Sequence, residues 1–169
     1  MDDLLSLDLT RIDPAAMISK HFSFREALYL HTWGRMAGPA DGLTHDVLAR
    51  IAWFLRTQMD EVRDWLGAPI NVHCCWRPKL YNQDPRIKGS THSTHMALVD
   101  YRGKPLFPEE MIAAMDFDVE GFKCDDIRTK LFPQLEIWGL RMEDRPGSDW
   151  VHLDSSPPIP PLFHRLVKG

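Results

Sequence analysis

Two separated segments of the chain combine histidine with aspartate, side chains that commonly bind zinc. Residues 89–101 read GSTHSTHMALVDY and contain His92, His95 and Asp100, whereas a distant segment reads SDWVHLDSS and contains His152. Two imidazoles and one carboxylate leave a fourth tetrahedral position for water, as in catalytic zinc sites. Zinc lowers the pKa of bound water towards ~7 and polarises a carbonyl group, so these residue types indicate hydrolysis.

The second segment has the alternation of a half-buried strand. In a strand, Trp150, His152 and Asp154 face one way while Val151 and Leu153 face the core. A carboxylate beside an imidazole orients its second ring nitrogen, which is the usual environment of a histidine that binds a metal ion. The pattern therefore favours His152 as a ligand and Asp154 as its neighbour.

The elements that would position these residues indicate an α+β fold. Apolar residues repeat at three- and four-residue steps from Thr44 to Leu66, which predicts a long helix with Thr44 as N-cap and Gly67 just beyond its end. Shorter helices are predicted over PEEMIAAM and CDDIRTKLFPQL. Strands are predicted over APINVHCCW, MALVDY, LEIWGLRME and DWVHLDS. Helices followed by strands predict a small, mostly antiparallel sheet flanked by helices.

Length and charge limit the classes of function. The 169 residues suit a single domain spanning 1–169, with residues 1–20 as an extended lead-in and 155–169 as a proline-rich strap. A net charge of −4 without a basic cluster argues against binding nucleic acid or an anionic membrane. An apolar run of the ~20 residues needed to span a membrane is absent. The acidic N-terminal sequence lacks the features of a secretory signal, which predicts synthesis in the cytoplasm.

The motifs together resemble the LAS-type zinc peptidases, which include D-alanyl-D-alanine carboxypeptidases and phage endolysins and share their fold with the hedgehog signalling domain. The resemblance runs from HFSFREAL through LGAPINVHCCWRPKLYN and GSTHSTHMALVDY to DWVHLD. The second of these is similar to the family pattern G-x-P-I-x-V-x-S-G-Y-R-S-P-x-x-N. Residues in register with it are Gly67, Pro69, Ile70, Val72, Arg77 and Asn82.

The resemblance implies a role for several residues. Arg77 would hold the substrate carboxylate or the developing oxyanion, for which a guanidinium fork is suited. The segment DWVHLD is similar to the family's D/E-x-x-H element, which implies that Asp149 is the general base and His152 a zinc ligand. His73 and Trp150 would line the substrate cleft.

The remaining ligands depart from the family pattern, which resembles S-x-H-x-x-G-x-A-x-D. Asp100 is the expected carboxylate ligand, but neither His92 nor His95 stands at the family's distance from it. STHM resembles the S-x-H-M of phage members, and Gly89 stands where their G-x-x-x-S-x-H places a glycine. His95 is therefore favoured, with His92 as the alternative.

These observations predict a zinc peptidase that cleaves peptidoglycan stem peptides, either a carboxypeptidase or an endolysin-type endopeptidase. A phage-encoded lysis enzyme or virion component fits the missing secretory signal, and other virion proteins are then further partners. The altered spacing before Asp100 favours a second interpretation, a virion or tail module that keeps the fold without the activity. The sequence does not specify which peptide bond is cut.

Overall fold

The computed structural model describes residues 2–100, 102–107, 109–157 and 166–168, in which short helices alternate with short strands. The helices are α1 (Asp2–Leu5), α2 (Phe24–Leu28), α3 (His45–Phe54), α4 (Asp60–Leu66), α5 (Lys79–Asn82), α6 (Cys124–Leu131) and α7 (Leu135–Trp138). The strands are β1 (Tyr29–Leu30), β2 (Arg35–Met36), β3 (Ile70–Cys74), β4 (Ala114–Val119), β5 (Arg141–Asp144), β6 (Val151–Asp154) and β7 (Leu166–Lys168).

Helices α3 and α4 form the predicted long helix, joined by a π-helical turn at Leu55–Met59. The Thr44 side chain accepts a hydrogen bond from the Val47 N–H, and Gly67 ends the helix in a left-handed conformation (φ 66°). Both ends therefore confirm the predicted caps. The apolar stripe is buried up to Val62, and Leu66 at its end is half-buried. The buried members are Val47, Leu48, Ile51, Phe54, Leu55, Met59 and Val62.

The main sheet has five strands in the order β3-β4-β6-β5-β7, and β1 pairs with β2 in a separate two-stranded sheet. All pairings are antiparallel except that between β5 and β7. The predicted α+β class with a small, mostly antiparallel sheet is confirmed. One face of the sheet packs with the long helix into one apolar core, through Met115, Phe117, Val151 and Leu153.

Three predicted elements are wrong. MALVDY does not form a strand, and PEEMIAAM is not a helix, since its last two residues begin β4. The start of LEIWGLRME is helix α7, and only its end enters β5. Residues 97–113, which we call the excursion, thus lie in the chain between the segment of His95 and strand β4.

The two chain ends were predicted to be an extended lead-in and a proline-rich strap. The lead-in contains the short helix α1 rather than being extended throughout. Within the proline-rich strap, residues 158–165 lie outside the described residues, while 166–168 form β7 beside β5. Among the helices that the structure describes, none is long and apolar enough to cross a membrane.

Candidate metal centre

The face of the main sheet opposite the core contains the side chains that could do chemistry. Asp116 on β4 pairs directly with His152 on β6. Their strand neighbours point the other way and are buried among apolar residues, namely Met115, Phe117, Val151 and Leu153. Because directly paired residues share a face, the carboxylate and the imidazole meet across the two strands. The predicted orientation of His152 is confirmed.

His95 reaches these two residues from a short 3-10 turn, Thr94–Met96, outside the sheet. Three hydrogen bonds fix its segment to the end of β3. The Arg77 N–H donates to the His95 carbonyl (2.9 Å), the Trp76 indole N–H donates to the Met96 carbonyl (2.9 Å), and His95 Nδ1 lies 2.7 Å from the Cys75 carbonyl oxygen. A carbonyl oxygen only accepts, so Nδ1 carries a proton and Nε2 is the ring nitrogen that could bind a metal ion.

The three ligand atoms form a small triangle. His152 Nδ1 lies 2.7 Å from Asp116 Oδ1, and His95 Nε2 lies 3.1 Å from the same oxygen and 3.2 Å from His152 Nδ1. Ligand atoms around a tetrahedral ion at bonds of about 2.0–2.2 Å are separated by about 3.3 Å. Within the described residues, His95, Asp116 and His152 are the one group of three whose ligand atoms converge in this way. They could bind a metal ion with a coordination position left over.

Charged side chains hold two of the three ligands, Asp116 and His152, in place. Arg77 Nη2 donates to Asp116 Oδ2 (2.5 Å), which leaves Oδ1 facing the two imidazoles. Asp154 Oδ2 lies 3.5 Å from His152 Nε2, and the same carboxylate receives two hydrogen bonds from the buried Arg141 (3.1 and 3.0 Å). Carboxylates in this position orient a metal-binding histidine and raise its basicity. The neighbourhood thus matches the chemistry of a metal site beyond its three ligands.

The electrostatics of this cluster favour a positive charge at its centre. Burial opposes protonation of His152, but its hydrogen bonds with Asp116 and Asp154 outweigh burial and raise its pKa to about 10. Burial likewise raises the pKa of Asp116, but His95 and His152 hold it well below its usual range. The metal-free site therefore keeps a proton between its imidazoles and its two carboxylates. A bound cation would replace that proton.

The structure corrects the prediction for Asp100. This residue lies in a turn of the excursion, where its carboxylate accepts the backbone N–H groups of Arg102 (2.8 Å) and Lys104 (2.9 Å). Its backbone N–H also donates to the Lys104 carbonyl (2.9 Å). The carboxylate is thus used to close a turn, and Asp116 takes the position among the ligands that was predicted for Asp100.

Asp149 lies away from the predicted metal centre. It is exposed in the bend before β6 and lines a second, smaller recess, together with Asp118 and Asp125. Asp149 precedes β6 and is not among the residues that line the cavity with His152. The placement gives no support to the general-base role predicted for Asp149.

His92, the alternative ligand, is exposed and lies apart from the ligand triangle. Its ring packs over Gly103 so closely that a Cβ added there would lie 2.4 Å from His92 Cδ2. The geometry therefore favours His95 over His92. The contact with Gly103 instead joins the excursion to the loop that precedes His95.

The ligands lie in a cavity of about 1100 Å³, which is also lined by the three residues predicted for the substrate cleft, Arg77, Trp150 and His73. Cationic side chains, Arg86, Lys88 and Arg145, line it as well, alongside the single glutamate Glu143. A cavity with more cations than anions in an acidic protein is suited to an anionic ligand.

Asp116 is the residue that sequence reasoning missed. Ala114–Val119 reads AMDFDV, in which Met115, Phe117 and Val119 alternate with two aspartates, and all three apolar residues are buried. This alternation was the available signal for a strand with a polar face.

Comparison with protein-family models, with curated protein sequences and with solved structures found no match for the chain.

Proposed function

We propose that the protein is a zinc-dependent hydrolase that cleaves amide bonds in the stem peptides of peptidoglycan. The observation that carries this proposal is the convergence of His95, Asp116 and His152 in a cavity that Arg77 also lines. Two imidazole nitrogens and one carboxylate oxygen are ligands that suit zinc. Zinc, when bound, would lower the pKa of water and polarise the amide carbonyl.

Placement of Asp116 strengthens the resemblance to the LAS-type peptidases. The family pattern S-x-H-x-x-G-x-A-x-D begins in this chain with Ser93 and His95, and its A-x-D ending matches Ala114 and Asp116. The excursion then stands inside the pattern as an insertion. With this alignment the ligand positions of the family patterns fall on His95, Asp116 and His152, which converge in space. An alignment to Asp100 would place the carboxylate ligand outside that group.

Each remaining residue has a task that follows from its contacts. Arg77 uses Nη2 to hold Asp116 and Nε to contact the Cys74 sulfur (3.1 Å). A guanidinium has five N–H donors, so further donors can bind a substrate carboxylate or the oxygen that becomes anionic during hydrolysis. Arg86, Lys88 and Arg145 would attract the free carboxylates of stem peptides.

The test is hydrolysis of purified cell walls and of synthetic stem peptides, followed by mass spectrometry of the products. We expect cleavage with zinc, no cleavage after chelation, and recovery when zinc is added back. Asp116→Asn should abolish cleavage, whereas Asp100→Asn should retain it. Equal cleavage with and without the chelator would contradict the proposal.

A second candidate function is a zinc-containing binding module of a phage virion or tail. The position of Asp149 outside the cavity favours it, because the expected carboxylate base is then missing from the site. Stoichiometric zinc together with peptide binding, but with every stem peptide intact after long incubation, would support this module over the enzyme. A phage origin in either role stays a proposal.

A further inference from the structure

A second aspartate–histidine pair lies beside the metal centre. His73 Nε2 lies 2.6 Å from Asp118 Oδ2, and the Asn71 side-chain amide donates to Asp118 Oδ1 (2.8 Å). His73 lines the large cavity, whereas Asp118 lines the neighbouring recess. The imidazole therefore stands between its carboxylate and the cavity.

The pair fixes the orientation and the tautomer of the imidazole. An ionised carboxylate only accepts hydrogen bonds, so His73 Nε2 donates and Nδ1 keeps a lone pair. Asn71 holds the other oxygen of Asp118, so the carboxylate is fixed from two sides. This is the arrangement by which an aspartate prepares a histidine to accept a proton in hydrolytic enzymes. The side chains are 40% and 32% exposed, so the ring is accessible to a ligand.

An irregularity in the sheet brings His73 to the cavity. Asn71 pairs with Asp118 and Cys74 pairs with Asp116, but the register shifts between Val72 and Cys74, so His73 has no direct partner on β4. A bulge of this kind redirects a side chain and is frequent beside active sites. As a result, both His73 and its neighbour Cys74 line the cavity that contains the ligand cluster.

We propose that His73, oriented by Asp118, is the proton-transfer residue of the site in place of Asp149. The inference rests on the proposed function. The attacking water gives a proton to His73 Nδ1 while its oxygen forms a bond to the amide carbonyl carbon. The C–N bond then breaks, and His73 returns that proton to the leaving nitrogen, so that the imidazole ends neutral.

Among the carboxylates that line the cavity, Glu143 is the one that does not contact His152, so it is the carboxylate that could transfer the proton instead. Its carboxylate lies 3.9 Å from Arg145, which is longer than a hydrogen bond and orients it less than Asn71 orients Asp118. The exposed pair of His21 and Asp64 provides a matched control, because it has the same contact (2.7 Å) on another part of the surface.

The experiment compares His73→Gln, Asp118→Asn, Glu143→Gln and His21→Gln in hydrolysis of the stem peptide that the wild type cleaves. We expect kcat to fall by about 10²–10⁴ in His73→Gln, and by a smaller factor in Asp118→Asn. Zinc content should be unchanged in both, and His21→Gln should behave as wild type. Added imidazole should restore part of the activity of His73→Gly, which a purely structural role of the side chain would not produce.

A second readout does not need the loaded enzyme. Long-range ¹H–¹⁵N spectra of the metal-free protein should show His73 protonated at Nε2 and bare at Nδ1, with this preference weakened in Asp118→Asn. Activity of His73→Gln within threefold of wild type, or a loss confined to Glu143→Gln, would overturn the inference and leave the proposed function standing. A wild-type protein that binds zinc but cleaves no stem peptide would instead overturn the proposed function, and this inference with it.

Discussion

His95 Nε2 lies 3.1 Å from Asp116 Oδ1, although the whole excursion, residues 97–113, separates their segments. The contact depends on two anchors. Hydrogen bonds to the end of β3 hold the turn that contains His95, and pairing with β6 holds Asp116. These anchors therefore bring the two ligands together although a long segment separates them in the chain.

This relationship predicts which aspartate the metal needs. Asp116→Asn should lower zinc affinity by at least about 100-fold, because it removes a charged ligand that also holds Arg77. Asp100→Asn should leave zinc affinity within about threefold, since the hydrogen bonds that its carboxylate makes with the described residues are to backbone groups of a turn. Calorimetric titration with zinc measures both. Equal losses in the two variants would place the carboxylate ligand elsewhere than the structure does.

Arg50 is predicted to anchor the excursion to the long helix. Its guanidinium donates to three backbone carbonyls, those of Ala97 (3.1 Å), Phe107 (3.2 Å) and Glu110 (3.0 Å). Arg50→Met should lower the free energy of unfolding by about 2–4 kcal/mol, because it leaves these acceptors without their charged donor. It should also weaken zinc binding, since Ala97 is close to His95 in the chain.

Limited proteolysis tests this anchor. Cleavage within residues 97–113 should become faster in Arg50→Met, while the rest of the chain stays protected. Lys20→Met is the control, because Lys20 makes an exposed ion pair with Asp64 and should change the free energy of unfolding by less than about 1 kcal/mol. An unchanged cleavage pattern in Arg50→Met would show that the excursion is held by other contacts.

The parts of the structure that could be predicted are those specified by local pattern. The three- and four-residue spacing of apolar residues from Thr44 to Leu66 is that of a helix. The alternation around His152 places its imidazole on the face opposite the core. His95 could be favoured from the segment STHM. Each of these depends on residues that are neighbours in the chain.

The other parts depend on contacts between distant segments. MALVDY is an apolar run and AMDFDV alternates, so both have a strand-like pattern, and only pairing with β3 and β6 makes the second a strand. The nearby IAAM also has helical spacing, so local propensity pointed to a helix where the sheet imposes an extended chain. His73 is a similar case, because a register shift between two strands brings it to the cavity.

The buried ion pair of Arg141 and Asp154 is predicted to be needed for binding more than for folding. Arg141→Met should destabilise the protein by about 3–5 kcal/mol, because Asp154 would stay buried without its partner. The double variant with Asp154→Leu should recover most of that stability, since neither charge of the pair is left unpaired. It should still bind zinc about 10–100-fold more weakly than wild type, because His152 loses the carboxylate beside Nε2.

Urea unfolding in a chelator and zinc titration separate the two effects. A double variant that recovers both stability and zinc affinity would show that Asp154 does not act on His152. One that recovers neither would show that the pair is required for the packing of β5 against β6. Only a double variant that recovers stability but not zinc affinity agrees with a role of Asp154 in orienting His152.

The metal-free protein should lose stability as pH rises above neutrality. The pKa of His152 is raised to about 10 in the folded chain, compared with its usual 6.5. Between these values the folded state keeps a proton that the unfolded state loses, so the free energy of unfolding falls with rising pH, and below pH 6.5 this contribution is fully present. Urea unfolding in a chelator at intervals from about pH 6 to 7.5 measures the slope, in a range below the usual pKa of cysteine. His152→Gln should reduce the slope without abolishing it, because the pKa of His95 is also raised, by Asp116 and against the effect of burial. A slope of the opposite sign in the wild type would mean that the imidazoles are neutral when folded and that no proton occupies the centre of the ligand triangle.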